Sequence, residues 1–532
     1  MSLSTLRAVA LDGARDAAYL SPARWPAEPH DRLGDHGYDV FEYAVSGVAR
    51  LYTDGAARPP ATTGTVSCTT RVLVVRPVTD EAFSGRVHVE LLNPSTGYDF
   101  PMYWPDLAGH LIRRGDAYVG MTCKNVTVEA LRRMAPERYG DLSFPHDGAV
   151  WDLLGSLAAT LRSPHGGGVL PGLREPARIL ATGWSQSGSF LRTYLSEGLH
   201  EQHCGETGRT VVDAFLIGVS SGGFGPMGYV NVDRHGEMAF DADLRPVGGR
   251  LVQLPMDDAR RTVRGSRVPV MELMSEDETL HHLWHQRPDS DVPGDLYRCY
   301  QLPGRGHESG LLDDSVRSSD HAQARSHGHQ GAEPSGGADP SGGADPSGGA
   351  DPSGGADPSG GAEPSGGSDA PGGVEVPEGI ETAPPLRHQA SRYLLAAAVE
   401  NLLRWADGVA APRIDPIAVM ARPGSRLDAD GLDYGGTYVL SDADGHALGG
   451  MRHLEVDLPV ARSLRAPDGP MTIGTWHREP FEPAELTRRY TSPQRLRQLA
   501  SERAWRLADR GCYLPEDVAD AVEDFCRCAG PF

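Results

Sequence analysis

Three serines at alternate positions in the segment GWSQSGSF (183–190) are the residues best suited to act as a nucleophile. The preceding segment ARILATG is typical of a buried strand, and helical periodicity follows the serines. A serine in a strained turn between a strand and a helix, flanked by small residues, has the geometry of a nucleophile elbow. The strand ends at about Gly183, which favours Ser185 over Ser187, because Ser187 already falls in the first helical turn. A serine-rich helix cap is the plainer alternative.

A nucleophilic serine needs a base and an acid that orients the base. The segment VPVMELM (268–274) reads as a strand and is followed by SEDE, in which Glu276, Asp277 and Glu278 are all candidate acids. We favour Glu278, because it lies where an acid loop usually places its carboxylate. The other two remain open, since a solvated acidic turn would have the same composition.

The candidate base is His307, which follows the last predicted strand, LYRCYQL (296–302), in the loop LPGRGH. Serine, acid and histidine, each after its own strand and in this order, match the α/β-hydrolase arrangement. In such a triad His307 accepts the proton of Ser185, which attacks an acyl carbonyl, while Glu278 holds the imidazole in the working tautomer.

Two backbone donors are expected to stabilise the tetrahedral oxyanion. The Gln186 N–H is one, because it opens a helix whose dipole favours negative charge. The second should come from the segment NPSTGYDF (93–100), in which the proline has no N–H. We therefore predict Ser95 or Thr96 as the second donor, with Asn93 positioning the loop.

The acyl or alcohol pocket is predicted to be shaped by Tyr103 and Trp104 together with the segment 222–265. No metal or cofactor is predicted. The motif HGGG (165–168) imitates the oxyanion motif of lipases, but it precedes the strand that leads into the elbow, so it is better explained as a flexible turn. HHLWH (281–285) and the two DADG segments lack the remaining ligands of a metal site, so they are better explained as a helix face or pocket wall and as acidic turns. Seven cysteines without a C-x-x-C pair predict neither zinc nor a disulfide framework.

Composition limits the classes of partner. The formal net charge of −22 argues against nucleic acid, because phosphates would be repelled. No apolar run reaches the roughly 18 residues needed to span a bilayer, and the first residues lack the pattern of a signal peptide. We expect a cytoplasmic protein that binds a small-molecule acyl substrate and no membrane; the oligomeric state is left open.

Strand-like and helix-like segments alternate before residue 312, which predicts an α/β fold with a mostly parallel sheet. The predicted strands are 71–78, 86–93, 117–123, 177–183, 211–219, 268–274 and 296–302, and the main helices are 107–115, 148–162, 189–199 and 386–408.

A six-residue repeat of Pro, Ser, Gly and one acid occupies residues 332–367. Each unit also contains one alanine, but no larger apolar side chain is present to offset the entropy of ordering, so we predict a disordered linker over 313–384. The predicted organisation is a core over 1–312, this linker, and a closing helix with a C-terminal extension over 385–532.

The elbow GWSQSG and the stretches VHVELLNPSTG, LPGRGH and GHALGGMRHLEVDLPVA resemble a group of bacterial α/β-hydrolase domain proteins whose elbow reads Gly-Tyr/Trp-Ser-Gln-Ser-Gly. The resemblance covers nearly everything outside the repeat, which looks like an insertion before the closing helix. It implies an α/β-hydrolase fold with a mostly parallel central sheet flanked by helices. Carried over by position, it implies Ser185 as nucleophile, Glu278 as acid and His307 as base.

The activity implied by this resemblance is that of a serine hydrolase, which cleaves a carboxylic ester, lactone or thioester through an acyl-enzyme intermediate. An acyltransferase would use the same triad with an alcohol or amine in place of water. A third alternative is a non-catalytic binding protein on the same scaffold, which the presence of all three triad residue types disfavours.

Overall fold

The computed structural model describes residues 6–12, 30–53, 58–95, 99–164, 168–204, 208–220, 259–281, 286–306, 390–421, 437–465 and 476–532. The predicted linker, His307, Thr96 and most of the segment 222–265 lie outside these ranges.

A ten-stranded sheet forms the centre of the protein, in the order β1-β2-β3-β5-β4-β6-β7-β8-β10-β9. Every strand predicted from the sequence is present. The prediction omitted β1, β2 and β9. The strands are β1 Arg7–Ala10, β2 Tyr38–Tyr52, β3 Thr62–Pro77, β4 Arg86–Leu91, β5 Ala117–Met121, β6 Arg178–Trp184, β7 Ala214–Gly218, β8 Val270–Ser275, β9 Ser290–Val292 and β10 Asp295–Leu302.

The six strands β5, β4, β6, β7, β8 and β10 run parallel to one another, whereas β1–β3 and β9 pair antiparallel at the two sides. The parallel strands are almost entirely buried, as expected when helices cover both faces of a sheet. Because the carboxyl ends of parallel strands share one edge, the segments after β4, β6, β8 and β10 meet along that edge.

Helices connect and cover the strands. They are α1 Trp104–Arg114, α2 Asn125–Met134, α3 Pro136–Tyr139, α4 Val150–Leu161, α5 Gln186–Ser196, α6 Leu199–Gln202, α7 Glu276–His281, α8 Ala390–Ala406, α9 Leu454–Asp457, α10 Pro483–Tyr490, α11 Pro493–Asp509 and α12 Val518–Ala529. Short 3-10 turns lie at His30–His36, Asp147–Ala149, Ala259–Arg261 and Pro515–Asp517. No helix in the described ranges is long and apolar enough to cross a bilayer.

The residues after the predicted linker share the apolar core of the residues before it. Helix α8 packs against α1 and β7, and buried side chains of α8, α11 and α12 belong to the same continuous cluster as the sheet. Two small hairpins, Val419–Ala421 with Thr437–Val439 and Ala461–Arg465 with Trp476–Pro480, lie in this part. All seven cysteines are free thiols.

His200 gives the stability a defined pH dependence. It lies in α6 against the rings of Tyr194 and Phe215, and burial lowers its pKa to about 3. A histidine in the unfolded chain has a pKa of about 6.5. At lower pH the unfolded chain therefore binds a proton that the folded protein excludes. Stability contributed by the neutral imidazole therefore falls as pH drops below that value.

The substitution His200→Phe should remove this dependence. Between pH 7 and about pH 5 the variant should lose about 2 kcal/mol less of its free energy of unfolding than the wild type. Urea denaturation at the two pH values measures the difference. His36→Gln, at an exposed histidine, is the control and should behave as the wild type. Equal losses in wild type and His200→Phe would contradict the prediction.

Candidate active site

Ser185 occupies the turn between β6 and α5 in a strained backbone conformation, with φ 54° and ψ −118°. A positive φ is uncommon for a residue with a Cβ and costs about 1–3 kcal/mol. The Ser185 N–H donates to Gly218 O at 2.9 Å, and Ser185 O accepts from Ser189 N at 3.0 Å. The Ser185 side chain makes no capping hydrogen bond to α5. This geometry is that of a nucleophile elbow and differs from that of a side-chain helix cap.

Ser187 lies in the first turn of α5. Its side chain is completely buried. The Oγ accepts from Trp184 N at 2.9 Å and donates to Trp184 O at 3.1 Å. The hydroxyl of Ser187 therefore ties the first turn of the helix to the end of β6, whereas Ser185 lies in the turn itself.

Close packing around the turn requires small residues on both neighbouring strands. A Cβ at Gly183 would lie 2.6 Å from Ser187 O. A Cβ at Gly218 of β7 would lie 1.7 Å from Cε3 of Trp184, the residue directly before Ser185. The absence of a side chain at Gly183 therefore lets the first turn of α5 pack against the end of β6, and its absence at Gly218 lets Trp184 pack against β7.

The acid loop after β8 buries two carboxylates with different partners. Glu278 Oε2 accepts from Ser275 N at 3.1 Å and Ser275 Oγ at 3.0 Å, which is a capping box at the start of α7. Glu276 Oε2 accepts from Gly304 N at 2.6 Å, in the segment that leads to His307. The Asp277 side chain lies outside the described part of the chain. Of the three acids that the sequence offers, the structure describes two side chains, Glu276 and Glu278, and both are buried.

Asn93 connects the segment after β4 to the elbow. Its Nδ2 donates to Trp184 O at 2.7 Å, and its Oδ1 accepts from Ser95 N at 2.8 Å. The Ser95 N–H is therefore bonded to Asn93 in this conformation, and its role as the second oxyanion donor stays a prediction. Gln186 is the first residue of α5, as expected for the other donor.

Tyr103 and Trp104 pack in the core rather than along an open surface, since both side chains are fully buried. The Tyr103 hydroxyl lies 2.7 Å from His88 Nδ1, and the Trp104 ring lies 5.0 Å from that of Tyr118. The Tyr103 ring is 6.4 Å from the Trp184 ring. Both side chains thus belong to the packed core, Tyr103 beside Trp184 and Trp104 beside Tyr118, and their predicted pocket role stays a prediction.

A buried ion pair, which was not predicted from the sequence, connects helix α5 to strand β8. Arg192 of α5 pairs with Glu272 of β8, and both are fully buried. Burial lowers the pKa of Arg192 to about 10. Glu272 also accepts a hydrogen bond from the Tyr297 hydroxyl of β10. The signal in the sequence was a single charge inside each of two apolar runs, FLRTYL and VMELM, which indicates a buried partner.

A second buried acid, Glu90 of β4, holds the segment before α1. Its Oε1 accepts from Met102 N at 2.7 Å and Tyr103 N at 2.9 Å, and its Oε2 accepts from Tyr118 Oη at 2.7 Å. Burial raises the pKa of Glu90 to about 7. This carboxylate fixes the chain between the β4 segment and α1.

Within the described ranges, no group of three histidine, cysteine or acidic side chains could hold a metal ion. The DADG segment at 442–445 is an acidic turn, in which Asp442 Oδ1 accepts from Asp444 N at 2.9 Å and His446 N at 3.0 Å. The first DADG segment and most of HGGG and HHLWH lie outside those ranges.

Comparison with known proteins gives one family. A sequence model described as an alpha/beta hydrolase domain matches residues 11–523. No curated protein is significantly similar to the chain.

Solved structures with a detectable likeness include three esterases. The structure of esterase Est22 is 14% identical, with a TM-score of 0.30, over 56% of this chain and 84% of that chain. A thermostable esterase from Pseudomonas putida ECU1011 is 14% identical, with a TM-score of 0.29, over 55% and 82%. Thermogutta terrifontis esterase 2 is 12% identical, with a TM-score of 0.28, over 55% and 93%. Similarities at this level add nothing to the assignment of a substrate.

The contact at Gly183 yields a direct test of the elbow. Gly183→Ala should lower the free energy of unfolding by about 1–3 kcal/mol, because its Cβ meets the backbone oxygen of Ser187. Urea denaturation measures the loss. Gly64→Ala, where an added Cβ meets nothing within 4 Å, is the matched control and should change stability little. Equal effects of the two substitutions would show that the turn is not closely packed.

Proposed function

The chain belongs to the alpha/beta hydrolase domain family, and from this premise we propose that it is a serine hydrolase that cleaves a carboxylic ester, lactone or thioester of a small molecule. Membership confirms the predicted family and fold. The observation that carries the proposal is the strained backbone of Ser185 between β6 and α5. A positive φ at a serine, held by packed strands on both sides, is a cost that a purely structural turn would avoid by using glycine.

The proposed reaction uses groups at the carboxyl edge of the sheet. His307 accepts the proton of the Ser185 hydroxyl while the Ser185 Oγ bonds to the acyl carbon. The Gln186 N–H and the positive end of the α5 dipole stabilise the oxyanion. Collapse of the tetrahedral species breaks the bond to the alcohol or thiol, which leaves with the proton from His307. Water, deprotonated by the same histidine, then releases the acid and restores Ser185.

Glu278 is the proposed acid. The two hydrogen bonds from Ser275 to Oε2 hold the buried carboxylate in a fixed orientation. We assign the support of the His307 imidazole to this carboxylate. Glu276 is the alternative acid, because its carboxylate already contacts the segment leading to His307, at Gly304.

The nucleophile assignment predicts the outcome of covalent labelling. A fluorophosphonate probe should label the wild type, and Ser185→Ala should abolish labelling, because the probe bonds to an activated serine Oγ. Intact-protein mass spectrometry measures the added mass. Ser187→Ala should lose stability but retain labelling, since its hydroxyl bonds only the backbone of Trp184 in the described structure. Labelling that survives Ser185→Ala and disappears in Ser187→Ala would exchange the two roles.

The acid assignment predicts a difference between two conservative substitutions. Glu278→Gln should lower kcat for a p-nitrophenyl ester by about 10³–10⁴-fold, because the amide no longer stabilises the imidazolium. Glu276→Gln should lower it by less than about 10-fold, because glutamine still accepts from Gly304 N. Steady-state hydrolysis of both variants gives the comparison, with folding checked by circular dichroism. The reverse ranking would assign the acid to Glu276.

A further inference from the structure

The C-terminal part of the chain contacts the loop that carries His307. We call residues 301–306 the histidine loop and residues 451–456 the clamp segment. Met451 N donates to Gln301 O at 2.7 Å, and His453 Nε2 lies 3.1 Å from Pro303 O. Because a carbonyl oxygen only accepts, His453 Nε2 carries the hydrogen in this bond. The clamp segment therefore holds the histidine loop at two backbone oxygens.

A buried charge pair adds a third contact between the two segments. The Arg305 guanidinium lies 3.6 Å from the Glu455 carboxylate. Both residues are buried, with Arg305 only 1% and Glu455 7% exposed. A guanidinium at this depth requires nearby negative charge, because removing one partner of a buried pair leaves the other charge desolvated. Glu455 thus helps to keep Arg305, two residues before His307, inside the protein.

The acid loop contacts the same histidine loop from a second element. Glu276 N donates to Arg305 O at 2.8 Å, and Glu276 Oε2 accepts from Gly304 N at 2.6 Å. Backbone groups of the histidine loop are therefore bonded to α7 as well as to the clamp segment. The segments come from residues separated by more than 140 positions in the sequence, and they meet at the loop that ends at His307.

We propose that the clamp segment positions the catalytic base: His453 and Glu455 are positioning residues that fix the histidine loop and, through it, His307. The inference rests on the proposed serine hydrolase function. A displacement of about 1 Å at a reacting group can lower the rate by about 100-fold. A positioning role therefore affects kcat, whereas a purely structural role would affect only the amount of folded protein.

Glu455→Gln should lower kcat for p-nitrophenyl acetate by about 10–100-fold, while KM changes by less than about twofold. The control is Asp524→Asn, at another acid that is 7% exposed and pairs with Arg392 and Tyr393, outside the histidine loop. Asp524→Asn should lower Tm and leave kcat unchanged. Steady-state kinetics and thermal unfolding of the full-length proteins give both readouts.

His453 supplies an independent pair of variants. His453→Gln keeps a side-chain N–H near Pro303 O and should retain most of the wild-type kcat. His453→Leu removes the donor and should lower kcat as Glu455→Gln does. This pair decides the question if Glu455→Gln fails to fold.

Two results distinguish a failure of the clamp proposal from a failure of the proposed serine hydrolase function. A wild type that neither hydrolyses esters nor labels at Ser185 would overturn the proposed function. Labelling and hydrolysis in the wild type, with kcat in Glu455→Gln and His453→Leu equal to that in Asp524→Asn, would overturn the clamp alone. A rise in KM at unchanged kcat would also overturn it, because a displaced base acts on the chemical step.

Discussion

The backbone of Ser185, held at φ 54°, is the constraint on which the rest of the site depends. A serine in this conformation is stable only if its surroundings offset the cost. Gly218 accepts its N–H from β7, and Asn93 donates to the carbonyl of the preceding residue from the β4 segment. The Arg192–Glu272 pair holds the following helix against β8. Contacts from β4, β7 and β8 together thus hold the strained backbone of Ser185 in place.

The parallel sheet explains why distant segments can serve one reaction. Strands β4, β6, β8 and β10 all point their carboxyl ends to the same edge, so the segment after β4, the turn at Ser185, the segment after β8 and the histidine loop leave the sheet at that edge. The sheet itself does not support the histidine loop. The clamp segment supports it from the far side of the predicted linker, which makes the C-terminal part integral to the fold rather than an appendage.

Local signals in the sequence were enough for the parallel strands and for the elbow turn. Apolar runs of strand length predicted the parallel strands, and the end of β6 at Trp184 follows from the change of periodicity beside Gly183. The strands β1, β2 and β9 were missed, because many of their residues are only partly buried and none of the three has a long apolar run.

Side-chain partners could not be predicted in the same way. The hydrogen bond from Ser95 N to the Asn93 side chain is one contact that the sequence did not predict. The complete burial of Tyr103 and Trp104 could not be predicted either, because it depends on contacts with His88, Tyr118 and Trp184 from other strands. The clamp on the histidine loop depends on residues such as Glu455 that are far away in the chain. No periodicity or spacing links such residues, because only the tertiary fold brings them together.

The contact between Trp184 and Gly218 also restricts how this sequence can change. The Trp184 indole occupies the space that a side chain at position 218 of β7 would need. The carbonyl oxygen of Gly218 also accepts the hydrogen bond from Ser185 N. A larger residue at 218 is therefore tolerated only after position 184 has become smaller. In evolutionary terms the two positions form an epistatic pair with an obligatory order of substitution. The choice of residue directly before Ser185 is thus limited by a glycine more than thirty positions away in the sequence.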